Sequence, residues 1–240
     1  MKTLGLLGGM SWESTAVYYQ LLNRMARVRL GGQHSAQLIL WSVDFAPIAA
    51  MQAAGEWEAA TAVLVDAARR LEAAGAEGLL ICANTMHRMA PEVQAAVRIP
   101  LIHVADATAA AIRAGGCARP LLIATRFTME QAFYRDRLAT GGVDALIPLA
   151  ADRERLHAII FDELVQGRFE PRSRAEIVAI VGRAVADQGA DGVILGCTEF
   201  GLLVTAADLP VPVFDTTEIH ARAGMDFALG AQGSGDTPNA

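Results

Sequence analysis

GAEGLLICANT, residues 75–85, returns later in this chain as GADGVILGCTE, residues 189–199. Each copy runs from a glycine-containing turn into an apolar strand and stops at a small polar cluster. The two copies should therefore occupy equivalent places in two related halves of the chain. In this alignment Cys197 corresponds to Ala83, so a thiol and a methyl group are expected at matching positions.

Apolar runs alternate with helical patterns along the rest of the chain. Segments such as 56–74 and 172–188 carry apolar residues at intervals of three and four, as an amphipathic helix does. The expected strands are residues 3–7, 37–43, 78–82, 101–104, 120–124, 146–148, 192–195 and 211–214. Alternation of strands with helices predicts an α/β fold with parallel sheets.

Further matches extend the repeat and set the expected domain boundaries. Residues 8–22 correspond to 124–138, and residues 101–107 correspond to 211–216. We therefore expect two parallel-sheet domains related by a pseudo-twofold axis, with the active cleft between them. The first domain is predicted to comprise residues 1–100 plus 212–229, and the second residues 101–211. The tail at 230–240, rich in Gly, Ser and Asp, is predicted to be disordered.

Composition excludes several classes of function. The net charge is −6 and no basic stripe is present, which argues against a nucleic-acid partner. No apolar run approaches the roughly 20 residues that span a bilayer. The opening segment is interpreted as a first strand rather than a signal peptide, so a cytoplasmic protein without a membrane partner is expected.

The basic residues bear on the cofactor. Lys2 is the only lysine, and the other nineteen basic residues are arginines. Pyridoxal phosphate requires a lysine for its Schiff base, and Lys2 begins the first strand, far from a site at the strand ends. We therefore expect no such cofactor.

The three cysteines do not form a recognisable metal or disulfide pattern. Cys82, Cys117 and Cys197 lack CxxC or Cys/His spacing, so no metal site is expected. Cys117, in a loop after two glycines, is interpreted as a structural residue.

Four predicted strand ends are unusually polar or glycine-rich. They are residues 8–11, 84–87, 125–129 and 197–199, two from each half. Ligands of open α/β sheets bind outside the carboxyl ends of the strands. Backbone N–H groups at helix starts suit a carboxylate without a basic side chain. A carboxylate-binding cleft between the halves is therefore predicted.

Cys197 is the candidate acid and base. It ends a strand before a helical segment, and a helix dipole there is expected to lower the pKa of the thiol. Inversion at a carbon centre needs a proton donor or acceptor on each face, and Ala83 can serve as neither. Cys82 should point away from the cleft because side chains alternate along a strand. A local bulge that brings Cys82 into the site is the alternative.

The strand-end motifs resemble those of the cofactor-independent aspartate/glutamate racemases. The likeness rests on GGMSWEST at 8–15, NTMH at 84–87, GCTE at 196–199 and Asp215-Thr216, and reaches to about Leu229. It implies two α/β domains, a homodimer and proton transfer by two thiols, one of which Ala83 replaces here. It also implies that the residues lining the substrate are Met10, Gln52, Ala83, Asn84, Thr85, Thr125 and Thr198. A basic residue that some relatives use near position 164 is absent, since Leu164 stands there.

Several polar residues near these motifs have more than one interpretation. His87 and Glu199 either orient the thiol or a helix start, or are capping and surface residues. Asp106 and Asp215 are expected to be N-caps of the helices after their strands. His220 is expected to be an ordinary helix residue.

Three functions remain open from the sequence. The first is a racemase of a small amino acid, with aspartate or glutamate as the expected substrate, Cys197 on one face and a water or Cys82 on the other. The second is a decarboxylase of a malonate-type acid, in which loss of carbon dioxide forms the carbanion and one thiol protonates it. The third is a binding protein that kept the cleft and lost turnover, for which Ala83 is the reason.

Overall fold

The computed structural model describes residues 1–230, which form six strands and eleven α-helices. The strands are β1 (Leu4–Gly8), β2 (Leu38–Ser42), β3 (Gly78–Ile81), β4 (Leu121–Ile123), β5 (Val193–Leu195) and β6 (Val213–Asp215). The helices are α1 (Trp12–Leu30), α2 (Phe45–Ala54), α3 (Trp57–Ala73), α4 (Ala90–Ala96), α5 (Val104–Ala114), α6 (Arg126–Glu130), α7 (Ala132–Thr140), α8 (Ala150–Ala158), α9 (Pro171–Gln188), α10 (Phe200–Leu203) and α11 (Thr216–Leu229). Short 3-10 turns cover Thr85–Met89, Leu164–Gln166 and Ala206–Asp208, and a π-helical turn covers Ile159–Glu163.

The strands form two parallel sheets, one in each half of the chain. Their orders are β2-β1-β3 and β4-β5-β6. The repeated segments supply β3 and β5, which occupy matching places beside β1 and β4. The predicted α/β class with two related parallel sheets is therefore confirmed.

Two of the predicted strands are reduced to single bridges. Leu101 pairs only with Leu79, and Leu146 pairs only with Leu121. Each bridge extends its sheet by one short edge contact. Extended pairing ends soon after Leu101 because the chain enters α5 at Val104.

The last strand corrects the predicted domain boundary. The sequence predicts that residues 212–229 belong to the first domain, but β6 pairs with β5 in the second sheet. Only α11 crosses back, where it contacts α1 and β3. In the same way α5 leaves the first sheet and contacts α7 and β6. The boundary is shifted because each half completes its own sheet before its final helix crosses to the other half.

The first sheet is buried on both faces, and its central strand shows why. Leu7 packs with Leu64 and Leu71 of α3 on one face. Leu4 and Leu6 pack on the opposite face against α1 and α11. Because successive side chains of a strand alternate between faces, an uninterrupted apolar run such as β1 suits a sheet covered on both sides.

Capping residues position the turns around the strand ends. Gly9 joins β1 to α1 with φ +91, and a Cβ there would lie 2.2 Å from the Val43 carbonyl oxygen, so only glycine fits. The predicted N-cap Asp215 accepts from the Thr217 N–H at 2.8 Å. Asp106 is not an N-cap, and that prediction is wrong. His103 caps α5 instead, and Asp106, one turn inside, pairs with Arg137.

The predicted disorder at 230–240 falls outside the described residues, apart from Gly230, which ends α11 with φ 72. Across residues 1–230, no helix has both the length and the apolar character to cross a membrane.

Candidate active site

A narrow cavity of about 40 Å³ lies where the polar ends of β1, β3 and β5 meet between the halves. Every residue predicted for the site lines it: Met10, Gln52, Ala83, Asn84, Thr85, Thr125, Cys197 and Thr198. Seven further residues complete the wall: Phe45, Met86, Ile160, Phe161, Val165, Gly196 and Glu199. A larger groove of about 550 Å³ beside β6 and α11 contains none of the predicted residues, so the smaller cavity is the candidate site.

The Cys197 thiol is held against a buried carboxylate. Its Sγ donates to Glu199 Oε2 at 2.9 Å. The Thr198 hydroxyl donates to the same oxygen at 2.9 Å. Both residues are buried, with Cys197 7% and Glu199 3% exposed. The thiol and the carboxylate therefore form a dyad shielded from water.

Glu199 is stabilised by hydroxyl groups instead of a cation. The Ser11 and Ser14 hydroxyls each donate to Glu199 Oε1 at 2.7 Å. In the part of the chain that the structure describes, no basic side chain forms a salt bridge with Glu199. Hydrogen bonds to both oxygens offset the loss of hydration that a buried carboxylate suffers. Glu199 therefore orients the thiol as its hydrogen-bond acceptor, which agrees with the first of its two interpretations from sequence.

The pKa of the Cys197 thiol is raised, so the expected lowering is wrong. Burial raises this pKa well above its ordinary value, and the negative charge of Glu199 raises it further. Backbone N–H groups of Glu199 and Phe200 act in the opposite direction but are outweighed. The helix after Cys197, α10, has four residues and starts only at Phe200, so its dipole is small. Cys197 is therefore a protonated thiol at neutral pH.

The matching place in the first half holds hydroxyl groups. Thr85, which corresponds to Glu199 in the repeat, lies 2.9 Å from the Thr125 hydroxyl and 3.1 Å from the Thr128 hydroxyl. Thr125 caps α6 by accepting from the Thr128 N–H, just as Ser11 caps α1 by accepting from the Ser14 N–H. The pseudo-symmetric halves therefore present a thiol with a carboxylate on one side, and Ala83 with a hydroxyl cluster on the other.

Asn84 presents an unpaired oxygen at the cavity. Its Nδ2 donates to the Thr216 hydroxyl at 2.9 Å, and that hydroxyl donates to the Leu195 carbonyl at 2.7 Å. Because the Thr216 proton is already committed, Thr216 can only accept from Asn84, which fixes the orientation of the amide. Asn84 Oδ1 is then buried and has no hydrogen-bond partner among residues 1–230. A buried orphan acceptor in a cavity wall is suited to a ligand that donates hydrogen bonds.

His87 supports the backbone at the Ala83 position. Its Nδ1 bonds to the Ala83 carbonyl at 2.9 Å, while its Nε2 accepts from the Val104 N–H at 3.3 Å. Burial, first of all, lowers the pKa of His87 well below its ordinary value. His87 therefore acts as a neutral brace behind the site, which agrees with the orienting interpretation.

His220 joins this buried group and is not an ordinary helix residue. Its Nε2 donates to the Ile102 carbonyl at 2.7 Å, and its Nδ1 accepts from the Tyr18 hydroxyl at 2.8 Å. Its ring lies 5.5 Å from that of His87, which in turn lies 4.6 Å from that of His103. No signal in the sequence pointed to this cluster, because its members lie far apart along the chain.

Cys82 points away from the cavity, as the strand alternation predicted. It is fully buried in the core between the first sheet, α1 and α11. Burial raises the pKa of its thiol far above the ordinary value. Cys117 lies outside the cavity too, and its Sγ donates to Asp191 Oδ1 at 2.7 Å.

The apolar residues of the cavity wall could not be identified from the sequence. Phe45 comes from α2, and Ile160 and Phe161 come from the π-helical turn. Leu164, named from the sequence as the place of a missing basic residue, is buried in the core of the second half, whereas its neighbour Val165 faces the cavity. Apolar residues in helical segments resemble core residues in a sequence, so no pattern distinguished them.

Comparisons with known proteins identify a family. The model of a family described as Asp/Glu/Hydantoin racemase matches residues 7–224. The broad specificity amino-acid racemase RacX of Bacillus subtilis (strain 168) is 20% identical over 171 residues, which cover 70% of this chain and 72% of RacX.

Solved structures extend the likeness. A candidate Asp/Glu racemase from Yersinia pestis is 49% identical with a TM-score of 0.88, covering 95% of this chain and 100% of that one. An aspartate racemase homologue from Pyrococcus horikoshii OT3 is 35% identical with a TM-score of 0.82, again covering 95% and 100%. A glutamate racemase from Francisella tularensis in complex with D-glutamate is 14% identical and shares the fold, with a TM-score of 0.64 and coverage of 95% and 81%.

Proposed function

This chain belongs to the Asp/Glu/Hydantoin racemase family, as its strand-end motifs predicted, and we propose that it transfers the α-proton of a small amino acid without a cofactor. Racemases are isomerases, so the family places the chain in that enzyme class. The observation that carries the proposal is the buried Cys197–Glu199 dyad in a cavity with an orphan acceptor. Cys197 is the acid and base in this proposal.

The amino acid is held by neutral groups. Its α-ammonium donates to Asn84 Oδ1, which has no hydrogen-bond partner among the described residues. Its α-carboxylate accepts from the cavity hydroxyls of Thr85 and Thr125. Hydroxyl donors aimed at this group stabilise the negative charge that grows there when the α-proton leaves.

Proton transfer starts from the protonated thiol. The Cys197 proton moves to Glu199 Oε2, and the ammonium charge of the bound substrate favours the resulting thiolate. The thiolate then takes the α-proton, and the electron pair of the C–H bond spreads into the carboxylate. Exchange of the abstracted proton on Cys197 with solvent, followed by reversal of these steps, returns a solvent proton to the same face. Because Ala83 has no proton to give, delivery to the opposite face falls to water, and inversion should be slower than exchange.

A malonate-type decarboxylase is the second candidate, and the resting state of the thiol favours it. Loss of carbon dioxide leaves its electron pair on the α-carbon, so no base is required. A protonated Cys197 with a raised pKa is ready to donate to that carbon. The orphan oxygen of Asn84 favours an amino acid instead, because an ammonium group supplies the missing donor.

Proton NMR in heavy water tests the proposal. A panel of L- and D-amino acids and substituted malonates is incubated with the wild type, with Cys197→Ser and with the control Cys117→Ser, whose thiol lies outside the cavity. We expect loss of the α-proton signal with the wild type and Cys117→Ser and no loss with Cys197→Ser. Carbon dioxide release without amino-acid exchange would support the decarboxylase instead. Amino-acid binding with no exchange in any variant would mean that the chain only binds its ligand.

A homodimer is also proposed, on the family resemblance alone. Light scattering of the purified protein would measure its mass, and a monomer at working concentrations would contradict it.

A further inference from the structure

We infer that the substrate of this site carries an uncharged, apolar side chain, so that leucine, methionine or alanine is preferred over aspartate and glutamate. This inference rests on the proposed function and adds the substrate class to it. The observation behind it is the set of residues in the cavity wall that take no part in proton transfer.

This part of the wall is apolar. Phe45 of α2 lines it together with Ile160, Phe161 and Val165 of the segment that follows α8. Apart from Gln52 of α2, the polar groups of the cavity lie elsewhere, at the ends of β3 and β5 and at Thr125, the N-cap of α6. A substrate whose carboxylate and ammonium bind at those positions has mainly apolar residues left for its side chain. Burial of an apolar substrate side chain against these residues is favourable.

No cation faces the cavity. Among the lining residues, all within the described part of the chain, there is no Lys, Arg or His. Two arginines of α8, the helix before the apolar segment, pair with carboxylates: Arg153 with Glu130, and Arg155 with Glu176. A second substrate carboxylate would therefore be buried without a counter-ion, which is strongly unfavourable.

The charge already present makes an acidic side chain worse. Glu199 is the one charged side chain among the described residues that line the cavity. Its oxygens already accept from Ser11, Ser14, Cys197 and Thr198. A substrate side-chain carboxylate would add like-charge repulsion in a medium that screens it poorly.

The apolar wall is built into the fold. Ile159–Glu163 form a π-helical turn, a distortion that is frequent at functional sites. Glu163, buried at the end of this turn, accepts hydrogen bonds from the Ser173 hydroxyl and, at 3.4 Å, from Arg155. These bonds tie the turn to α8 and α9 and hold Ile160 and Phe161 toward the cavity. Gln52, the neutral polar residue nearby, donates to the Met86 sulfur at 2.9 Å.

Two measurements on the same panel test the inference. Exchange of the α-proton in heavy water is compared for the L and D enantiomers of leucine, methionine, alanine, aspartate and glutamate. Calorimetry with Cys197→Ser measures binding of the same amino acids without turnover. We expect leucine or methionine to exceed aspartate and glutamate by at least about tenfold in exchange rate and in affinity.

A charge placed in the wall should reverse this preference. Val165→Arg should raise the exchange of aspartate or glutamate relative to leucine by at least about tenfold, because the guanidinium pairs with the side-chain carboxylate. Val165→Met changes size without charge and should leave the ratio in favour of the apolar substrate. Circular dichroism of both variants checks that they fold.

The outcomes separate the two claims. Faster exchange of aspartate or glutamate by the wild type, dependent on Cys197, would overturn the inference and leave the proposed function standing. Tighter binding of apolar amino acids without any exchange would overturn the proposed function and support the inference. Binding that favours acidic amino acids, with no exchange, would overturn both.

Discussion

Acid should destabilise this protein in the pH range where histidine titrates, and His220 allows the effect to be measured. This side chain is fully buried, and both of its nitrogens are already bonded, to the Tyr18 hydroxyl and the Ile102 carbonyl. A second proton would leave the Tyr18 hydroxyl proton without an acceptor. Burial lowers the pKa of His220 to about 4 from its ordinary 6.5.

The direction and size of the effect follow from the two protonation states. Because the folded-state pKa lies below the unfolded one, the unfolded chain binds more protons, and stability is lost as the pH falls below about 6.5. The pKa gap of about 2.5 corresponds to about 3 kcal/mol when fully developed. Between about pH 6 and pH 5 the loss from His220 alone has a slope of about 1 kcal/mol per pH unit. Domains of this kind have only about 5–15 kcal/mol of stability in total.

The neighbouring histidines add to this loss. Burial lowers the pKa of His103 to about 4 and lowers that of His87 well below its ordinary value. Both therefore oppose protonation in the folded state, in the same direction as His220. Carboxylates in ion pairs, such as Asp106, have lowered pKa values and lose their contribution only at lower pH.

Urea unfolding at several pH values between about 7 and 5 measures the slope directly. His220→Gln keeps hydrogen-bonding capacity and should reduce the slope by about 1 kcal/mol per pH unit, whatever its effect on absolute stability. His34→Gln, at an exposed side chain, is the control and should keep the wild-type slope. An unchanged slope in His220→Gln would refute the reasoning about the buried histidines.

Three further predictions concern the site. Glu199→Gln should slow α-proton exchange by about 10²–10⁴-fold, since the thiol loses its proton acceptor; exchange at the wild-type rate in heavy water would show that another base acts. Asn84→Ala should weaken amino-acid binding by about 1–3 kcal/mol in calorimetry, because the ammonium loses its acceptor; unchanged affinity would mean that the ammonium binds to another group. Ala83→Cys should raise inversion, followed by polarimetry, at least several-fold relative to exchange; no gain would mean that position 83 does not face the substrate carbon.

The repeated segments predicted the fold well because they encode strands and turns locally. The two copies form one strand in each sheet, β3 and β5, and the strand ends they mark converge on the cavity. The strands at the edges of the two sheets were less predictable. Leu101 and Leu146 contribute single bridges, and β6 joined the second sheet, because pairing at a sheet edge depends on where the next helix begins.

The residues of the site likewise fall into two groups: those that can be recognised from their place in the sequence, and those that only the folded chain brings together. Polar residues at strand ends are exceptional, so Asn84, Thr85, Cys197 and Thr198 could be identified from the sequence. The pKa of Cys197 could not, because its direction depends on burial and on how the Glu199 side chain folds back to the thiol. Phe161 and Val165 were hidden among apolar helical residues. Tyr18 and His220 meet only in the folded chain, 202 residues apart in sequence.

The central claim is that one thiol serves one face of the substrate carbon. The most direct measurement is the stereochemical course in heavy water, with α-proton exchange read by NMR and inversion by chiral chromatography on the same sample. The account predicts that one enantiomer exchanges its α-proton with retention, faster than it inverts, and that Cys197→Ser abolishes this exchange. Equal rates of exchange and inversion for both enantiomers, or exchange that survives in Cys197→Ser, would contradict it.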